Sequence, residues 1–161
     1  LSILKVCKPS ARKKWAKMGH NVGSNFTGVR MKILVINDNL SMTETLRTLL
    51  EPLNAEIIVS GGGSPTKEAA RIFDPDLIIL DITLPELDGW QVCRLIRNHY
   101  NAPILILSAA DNPSTIASAL DAGGDDYMIK PVTGGMLLAH INKLLRRSKP
   151  GSDLVILPMH G

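Results

Sequence analysis

Polar side chains follow four of the apolar runs in this sequence, and their types suit the handling of a phosphoryl group. Asn37 and Asp38 follow one run, and Asp81, Ser108 and Lys130 each follow another. Two carboxylates suit a hard cation such as Mg²⁺, which takes few protein carboxylates and keeps waters or phosphate oxygens as its other ligands. The lysine is a point charge suited to phosphoryl oxygens, and the serine hydroxyl can donate a hydrogen bond to the same group. One carboxylate can also be a nucleophile and become an aspartyl phosphate.

These side chains meet only if the apolar runs are neighbouring strands of one sheet. The runs are short and rich in β-branched residues, and they alternate with patterns that carry one apolar helical stripe. Five strand-then-helix units predict an α/β fold with a parallel sheet covered on both faces. In such sheets ligands bind beyond the carboxyl ends of the strands. The predicted strands are 32–37, 55–59, 76–80, 103–107 and Asp126–Ile129.

Capping and turn residues locate the helices between these strands. Ser41 and Glu44 have the spacing of a capping box, and the pairs Ser64-Pro65 and Asn112-Pro113 are typical of helix starts. Gly134 and Gly135 each cost roughly 1 kcal/mol inside a helix, so the last helix is expected to start after them. The predicted helices are 41–52, one from 64 onward, one from the turn at 88–89 to 98, one from 112 to 121, and 136–147.

Charge is unevenly distributed along the chain. Residues 1–30 carry seven basic side chains and no acid, whereas the remaining 131 residues carry 11 basic and 15 acidic ones. The basic segment predicts a disordered or added extension; a targeting peptide and a nucleic-acid arm around Trp15 are the alternatives. Met31 marks the expected edge of the folded domain.

The cysteines and the hydropathy pattern indicate the cellular compartment in which the protein is expected. Cys7 and Cys93 lie far apart without metal-ligand spacing, so no structural disulfide is expected, which favours a reducing cytoplasm. No apolar run approaches the ~18 residues that a membrane span requires. Trp90 and Cys93 are interpreted as helix packing rather than as chemistry.

Residues 31–148 resemble the receiver domain of two-component response regulators, which has a CheY-like, flavodoxin-like fold. The resemblance implies a doubly wound sheet with strand order 2-1-3-4-5 and a signalling role controlled by a histidine kinase, a phosphotransfer protein or a small phosphodonor. The stretches that carry it are KILVIND (32–38), PDLIILDITLPELDGWQVCRLIR (75–97), APILILSA (102–109), AGGDDYMIKP (122–131) and LLAHINKLLRR (137–147).

The resemblance assigns roles to the polar residues at the carboxyl ends of the predicted strands, which together form the rim of the sheet. Asp81 corresponds to the phosphoacceptor of the family. Asp38, Asp81 and the backbone carbonyl of Thr83 correspond to its Mg²⁺ ligands. Lys130 and Ser108 correspond to the residues that contact the phosphoryl group. The implied activity is that of a signalling phosphoacceptor with slow loss of its phosphate, and not that of an enzyme; a hydrolase is disfavoured because only Asp38 accompanies Asp81 as a potential base.

The resemblance also predicts a relay away from the rim. Tyr127 is the expected aromatic switch, which rotates as Ser108 moves toward the phosphate; from the sequence alone it could equally be a packing residue at the sheet edge. The Lys130-Pro131 peptide is expected to be cis, a geometry that X-Pro bonds tolerate cheaply. The expected output is a homodimer through the fourth helix, fifth strand and last helix, where His140 replaces the Arg that relatives often carry.

Asn37 departs from the family, which usually has an acid at this position. An amide can accept a hydrogen bond from a metal-bound water but brings no charge, so Asn37 is predicted as a weak, water-mediated metal contact. One unit charge at ~4 Å is worth up to ~4 kcal/mol at an effective dielectric of ~20, so Mg²⁺ is expected to bind less tightly. One fewer like charge also eases ionisation of Asp81. The alternative function is a phosphorylation-independent interaction module.

The last residues suggest a second, incomplete domain. SDLVILPMHG (152–161) resembles the first strand of the winged-helix effector of the OmpR/PhoB-like subclass, which regulates transcription. Residues 149–161 are therefore predicted to be a linker and the start of a truncated effector domain; the alternative is a solo receiver with a vestigial tail. The resemblance implies DNA contact only through an effector that this chain lacks, and no membrane partner.

Overall fold

A computed structural model of the chain describes residues 30–62, 64–82 and 86–148. Its strands form one five-stranded parallel sheet. They are β1 (Lys32–Ile36), β2 (Glu56–Ser60), β3 (Leu77–Ile82), β4 (Ile104–Ser108) and β5 (Asp126–Ile129). Their order in the sheet is β2-β1-β3-β4-β5, which confirms the predicted doubly wound topology.

Helices cover both faces of this sheet. They are α1 (Leu40–Leu50), α2 (Ser64–Phe73), α3 (Glu86–His99), α4 (Pro113–Asp121) and α5 (Gly134–Ser148), with a 3₁₀ turn at Glu51–Leu53 after α1. Residues of α2, α3 and α4 share one apolar cluster with one face of the sheet. Residues of α1 and α5 share a second cluster with the other face. The strand β3 is buried at every position, as expected for a central parallel strand.

The first helix begins earlier than its predicted capping box. Asn39, and not Ser41, is the N-cap, since its side-chain oxygen accepts a hydrogen bond from Met42 N at 3.0 Å. Ser41 therefore lies in the first turn of the helix and Glu44 is exposed. The regular helix ends before Pro52, which has no N–H to continue it and lies in the 3₁₀ turn.

Two other helices also differ from their predicted starts. Helix α3 begins at Glu86, so the backbone of Gly89 is helical rather than a turn. Helix α5 begins at Gly134 and not after the glycine pair, with Leu137 N donating to Thr133 O at 3.0 Å. A Cβ at Gly134 would come within 3.4 Å of Leu49 Cδ2. The first turn of α5 therefore lies close to α1 at Gly134.

Some predictions lie outside the described residues. They concern the basic segment 1–29, the tail 149–161 and the carbonyl of Thr83. Among the helices in the described ranges, none is long and apolar enough to cross a membrane. The Lys130-Pro131 peptide is cis, as expected. Trp90 and Cys93 are buried in the apolar cluster of α2, α3 and α4, which confirms their interpretation as packing residues.

Candidate functional site

Asp81 is the next-to-last residue of β3, and its carboxylate is buried. The sequence predicts it just after the strand, so β3 is longer than predicted. One of its oxygens, Oδ1, accepts a hydrogen bond from Lys130 Nζ, which reaches it from the end of β5. The other oxygen, Oδ2, is buried and has no hydrogen-bond partner among the described residues. A buried acceptor without a partner is costly and rare. This oxygen is therefore the position at which a ligand, cation or water would complete the site.

The charges around Asp81 oppose one another. Burial raises the pKa of the Asp81 carboxyl above its ordinary value, the Lys130 ammonium lowers it, and the negative charge of Asp38 raises it. The Asp38 effect places the two carboxylates within electrostatic reach of each other. A cation between them would relieve this repulsion.

Asp38 stands exposed beyond the end of β1, the strand beside β3. Ile36 pairs with Leu80, so Asn37 and Asp81 are the next positions in register. The described residues contain no group of three or more His, Cys, Asp or Glu side chains placed to hold a metal. Two carboxylates still fit Mg²⁺, which commonly uses one or two together with waters and phosphate oxygens.

Asn37 is buried, and its side chain is engaged in the loop that follows β1. Its Nδ2 donates to Asn39 O at 2.9 Å and to Thr43 Oγ1 at 3.2 Å. Its Oδ1 accepts from Asn39 N at 2.9 Å. These bonds occupy the amide group within the loop, and the water-mediated metal contact stays a prediction. Thr43 did not stand out in the sequence, because a threonine inside a predicted helix gives no signal of its partner.

Ser108 and Tyr127 are joined through one backbone unit. Ser108 is the last residue of β4, 3% exposed, and its Oγ accepts from Ala110 N at 3.2 Å. The hydroxyl of Tyr127 donates to Ala110 O at 2.7 Å. No sequence pattern pointed to Ala110, because both of these contacts use its backbone groups. Both predicted switch residues therefore contact the same loop residue.

A second polar cluster lies where β5 meets α5. Asp126 Oδ2 lies 2.6 Å from His140 Nδ1 and 2.6 Å from Lys143 Nζ, and Asp126 Oδ1 accepts from Tyr127 N at 3.0 Å. Burial raises the pKa of Asp126, but the hydrogen bonds from Lys143 and His140 outweigh it and hold the pKa below its ordinary value. His140 thus takes part in a hydrogen-bonded polar cluster within the chain.

The structure brings the core of the predicted site together. Lys130 contacts Asp81 directly, Asp38 acts on Asp81 electrostatically, and Ser108 ends the strand beside β3. The pairing of Ile82 with Ser108 places the serine one residue beyond Asp81 in register. A parallel sheet with order 2-1-3-4-5, with a buried carboxylate paired to a lysine at its carboxyl edge, has the architecture of a receiver domain.

Comparison with known proteins identifies the family. The pattern of the family described as "Response regulator receiver domain" matches residues 33–142. The chain belongs to this family. Receiver domains in general bind Mg²⁺.

The chain is similar to the receiver half of longer regulators. It is 39% identical over 124 residues to "Response regulator MprA" of Mycobacterium avium (strain 104), covering 76% of this chain and 54% of that protein. It is 36% identical over 121 residues to "DNA-binding response regulator MtrA" of Mycolicibacterium smegmatis, covering 75% and 53%. The chain therefore spans about half the length of the relatives it matches.

Solved receiver structures have the same fold. A two-component response regulator from Clostridium difficile aligns with a TM-score of 0.69 at 32% identity, covering 74% of this chain and 99% of that one. The BeF3-activated N-terminal receiver domain of Klebsiella pneumoniae RstA aligns with a TM-score of 0.66 at 30% identity, covering 71% and 98%.

Proposed function

We propose that Asp81 accepts a phosphoryl group from the phosphohistidine of a histidine kinase or phosphotransfer protein, or from a small phosphodonor. The observation that carries this proposal is the buried Asp81 carboxylate, with one oxygen paired to Lys130 and the other without a partner among the described residues. A nucleophile and a counter-charge are thus in contact before any donor arrives.

The transfer needs little covalent chemistry from the protein. An oxygen of Asp81 bonds to phosphorus while the bond from phosphorus to the donor nitrogen or oxygen breaks, and the electron pair of that bond leaves with the donor. Lys130 balances the negative charge on the phosphoryl oxygens, and Ser108 can donate a hydrogen bond to one of them. Asp38, Asp81 and the Thr83 carbonyl would hold a Mg²⁺ ion, which when bound neutralises charge on the same oxygens.

The phosphorylated state would be passed on through Ala110. If the Ser108 hydroxyl turns toward the phosphoryl group, Ala110 N loses its acceptor, and the loop that also holds the Tyr127 hydroxyl is released. Tyr127 lies on the edge strand β5, so the change reaches the surface of α4, β5 and α5. The phosphoryl group would thus add local charge at Asp81 and shift the loop at Ala110 between a held and a released state.

The output is proposed to follow that of the relatives. Response regulators interact with histidine kinases and, through effector domains, with DNA. For this chain we place the output at the surface of α4, β5 and α5, where Leu120, Ile129 and Met136 are exposed apolar residues, and we propose homodimerisation there. Regulation of transcription and a cytoplasmic location are part of this proposal. The chain would act as a phosphoacceptor with slow self-dephosphorylation, not as an enzyme with a separate substrate.

One observation favours a second candidate, an interaction module that works without phosphorylation. Asn37 replaces a carboxylate, and the described residues offer no three-acid metal site. A weaker metal site would slow charging of Asp81. In that case the surface of α4, β5 and α5 would bind its partner in the unmodified state.

Intact-mass spectrometry after treatment with acetyl phosphate and Mg²⁺ separates these candidates. We expect the parent chain to gain one phosphoryl group, and Asp81→Asn to gain none. Asp121→Asn, a change of an exposed carboxylate at the end of α4, is the matched control and should behave like the parent. If the parent gains no phosphoryl group at any Mg²⁺ concentration, phosphoacceptance is wrong and the interaction module is favoured.

A further inference from the structure

The loop between β1 and α1 is held by the side chain of Asn37. Asn39 presents both its N–H and its C=O to this side chain, at 2.9 Å in each case. A carboxamide has a donor and an acceptor and matches both groups, whereas a carboxylate is acceptor-only and matches one. The two backbone partners also fix the orientation of the amide, since the reverse assignment would oppose like groups.

Thr43 extends this arrangement into the helix. Its hydroxyl donates to Asn39 O at 3.0 Å and accepts from Asn37 Nδ2 at 3.2 Å. Asn39 in turn caps α1 through Met42 N. On the other side, Asn37 N donates to Ser60 O at 2.9 Å, which ties the start of the loop to β2.

Asp38 lies between the two asparagines of this arrangement. Its own side chain is exposed, so packing does not hold it. The backbone on both sides of it is fixed by bonds that involve Asn37, Asn39 and Thr43. The direction in which the Asp38 carboxylate leaves the chain therefore depends on these bonds.

We propose that Asn37 is a positioning residue for Asp38, acting through Asn39 and Thr43, and is not itself a ligand of the cation. This inference rests on the proposed function, because it concerns the cation held by Asp38 and Asp81. Asn37→Asp would not test this inference cleanly, because the change adds a charge near the cation and removes a donor from the loop, and the two effects on Mg²⁺ binding oppose each other.

Thr43 offers the sharper test, because it lies on α1 and contacts Asn37 and Asn39. We would measure the Mg²⁺ dissociation constant of the unphosphorylated chain, with no phosphodonor present, for the parent, Asn37→Ala, Thr43→Val and the double variant. We expect each single change to weaken Mg²⁺ binding by about tenfold. The double variant should be no weaker than the weaker single variant, because both changes break one network. Thr43→Ser keeps the hydroxyl and should bind like the parent.

Several outcomes of this experiment would overturn the inference. If Asn37→Ala weakens Mg²⁺ binding and Thr43→Val does not, Asn37 is a ligand. If neither change alters the dissociation constant while both lower the urea midpoint in EDTA, the network serves stability alone. If the two effects multiply in the double variant, the residues act independently. The urea midpoints identify conditions in which every variant is folded, and the affinities are compared there.

This result is separate from that of phosphorylation. A parent chain that binds Mg²⁺ with the expected pattern, yet gains no phosphoryl group, would keep the positioning role and remove the phosphoacceptor role. If the chain is phosphorylated on Asp81 but Thr43→Val does not change its Mg²⁺ affinity, the phosphoacceptor role stands and the positioning role is wrong. A parent chain without measurable Mg²⁺ binding would overturn the inference as well.

Discussion

At the scale of single residues, the molecule buries two ionisable groups, Asp81 and Cys93, in different surroundings. Asp81 is paired with Lys130 and keeps one oxygen without a partner among the described residues. Burial raises the pKa of the Cys93 thiol to about 11. Burial is common to both groups, but Asp81 in addition has a cation, Lys130, in direct contact.

Lys130→Ala should slow phosphorylation of Asp81 by acetyl phosphate by at least about tenfold, because the counter-charge for the phosphoryl oxygens is lost. The rate is read from intact mass against time. Lys143→Ala is the control, since its ammonium contacts Asp126 and not Asp81. Equal rates for Lys130→Ala and the parent would contradict the role given to Lys130.

Cys93 should resist alkylation at pH 8 while the chain is folded and react readily in urea. The thiolate is the reactive form, and both the raised pKa and the burial keep it scarce and inaccessible. Peptide mapping after iodoacetamide treatment distinguishes Cys93 from Cys7. A native labelling rate of Cys93 close to its rate in urea would show that α3 opens freely.

At the scale of elements, one arginine joins the end of α3 to the segments before β4 and β5. Arg97 Nε donates to Gly123 O at 3.0 Å, and its Nη1 donates to Tyr100 O and Ala102 O. Its Nη2 pairs with Asp125, whose Oδ2 also accepts from Ile104 N at 2.8 Å. The planar guanidinium satisfies three carbonyls and one carboxylate at once.

Arg97→Lys should lower the free energy of unfolding by about 2 kcal/mol, because an ammonium cannot reach these acceptors together and leaves carbonyls without donors. Urea denaturation measures the loss. Arg94→Lys, at an exposed position of the same helix, should change stability by less than about 0.5 kcal/mol. Similar losses of stability for the two variants would show that the hydrogen bonds of Arg97 do not stabilise the fold as proposed.

Asp126 ties β5 to α5 in a manner that depends on pH. Its folded-state pKa lies below the ordinary value of 3.8, so its stabilising contribution is present above that value and is lost as pH falls through the folded-state pKa. Asp126→Asn should therefore be less stable than the parent by about 1 kcal/mol at pH 7. The difference should shrink below pH ~3.8. Urea midpoints from pH 7 down to the acid limit of folding test this; a gap that is constant with pH would contradict it.

At the scale of the whole molecule, hydrogen bonds to Ala110 connect Ser108 at the end of β4 with Tyr127 on β5, and the proposed relay would use this connection. Tyr127→Phe removes the hydroxyl that holds Ala110 O. It should leave phosphorylation of Asp81 unchanged and reduce the amide shift changes of β5 and α5 that accompany it. Tyr100→Phe is the control, because its hydroxyl donates to Lys67 O instead. Undiminished shift changes in Tyr127→Phe would place the relay elsewhere.

Local sequence patterns predicted most of the fold, because apolar residues recur with the period of a strand or of a helix. Apolar runs located all five strands to within about two residues, and the apolar stripe of α5 is buried. The errors lie where a side chain or a packing contact decides an end. Asn39 caps α1, so this helix starts one residue earlier than predicted, and α5 begins at Gly134, where it lies close to Leu49. Such contacts depend on residues that the local pattern does not identify.

The sequence by itself determined which residue types stand at the carboxyl ends of the strands, and hence that Asp38, Asp81, Ser108 and Lys130 belong to one rim. Strand periodicity and the order of the units suffice for that. Only the tertiary structure decided how Asn37 is used, because its partners are backbone groups of Asn39 and a hydroxyl one helical turn away. Which atom donates and which accepts depends on neighbours in three dimensions. Here the Asn37 amide both donates to and accepts from the backbone of Asn39, and an acceptor-only carboxylate cannot do both.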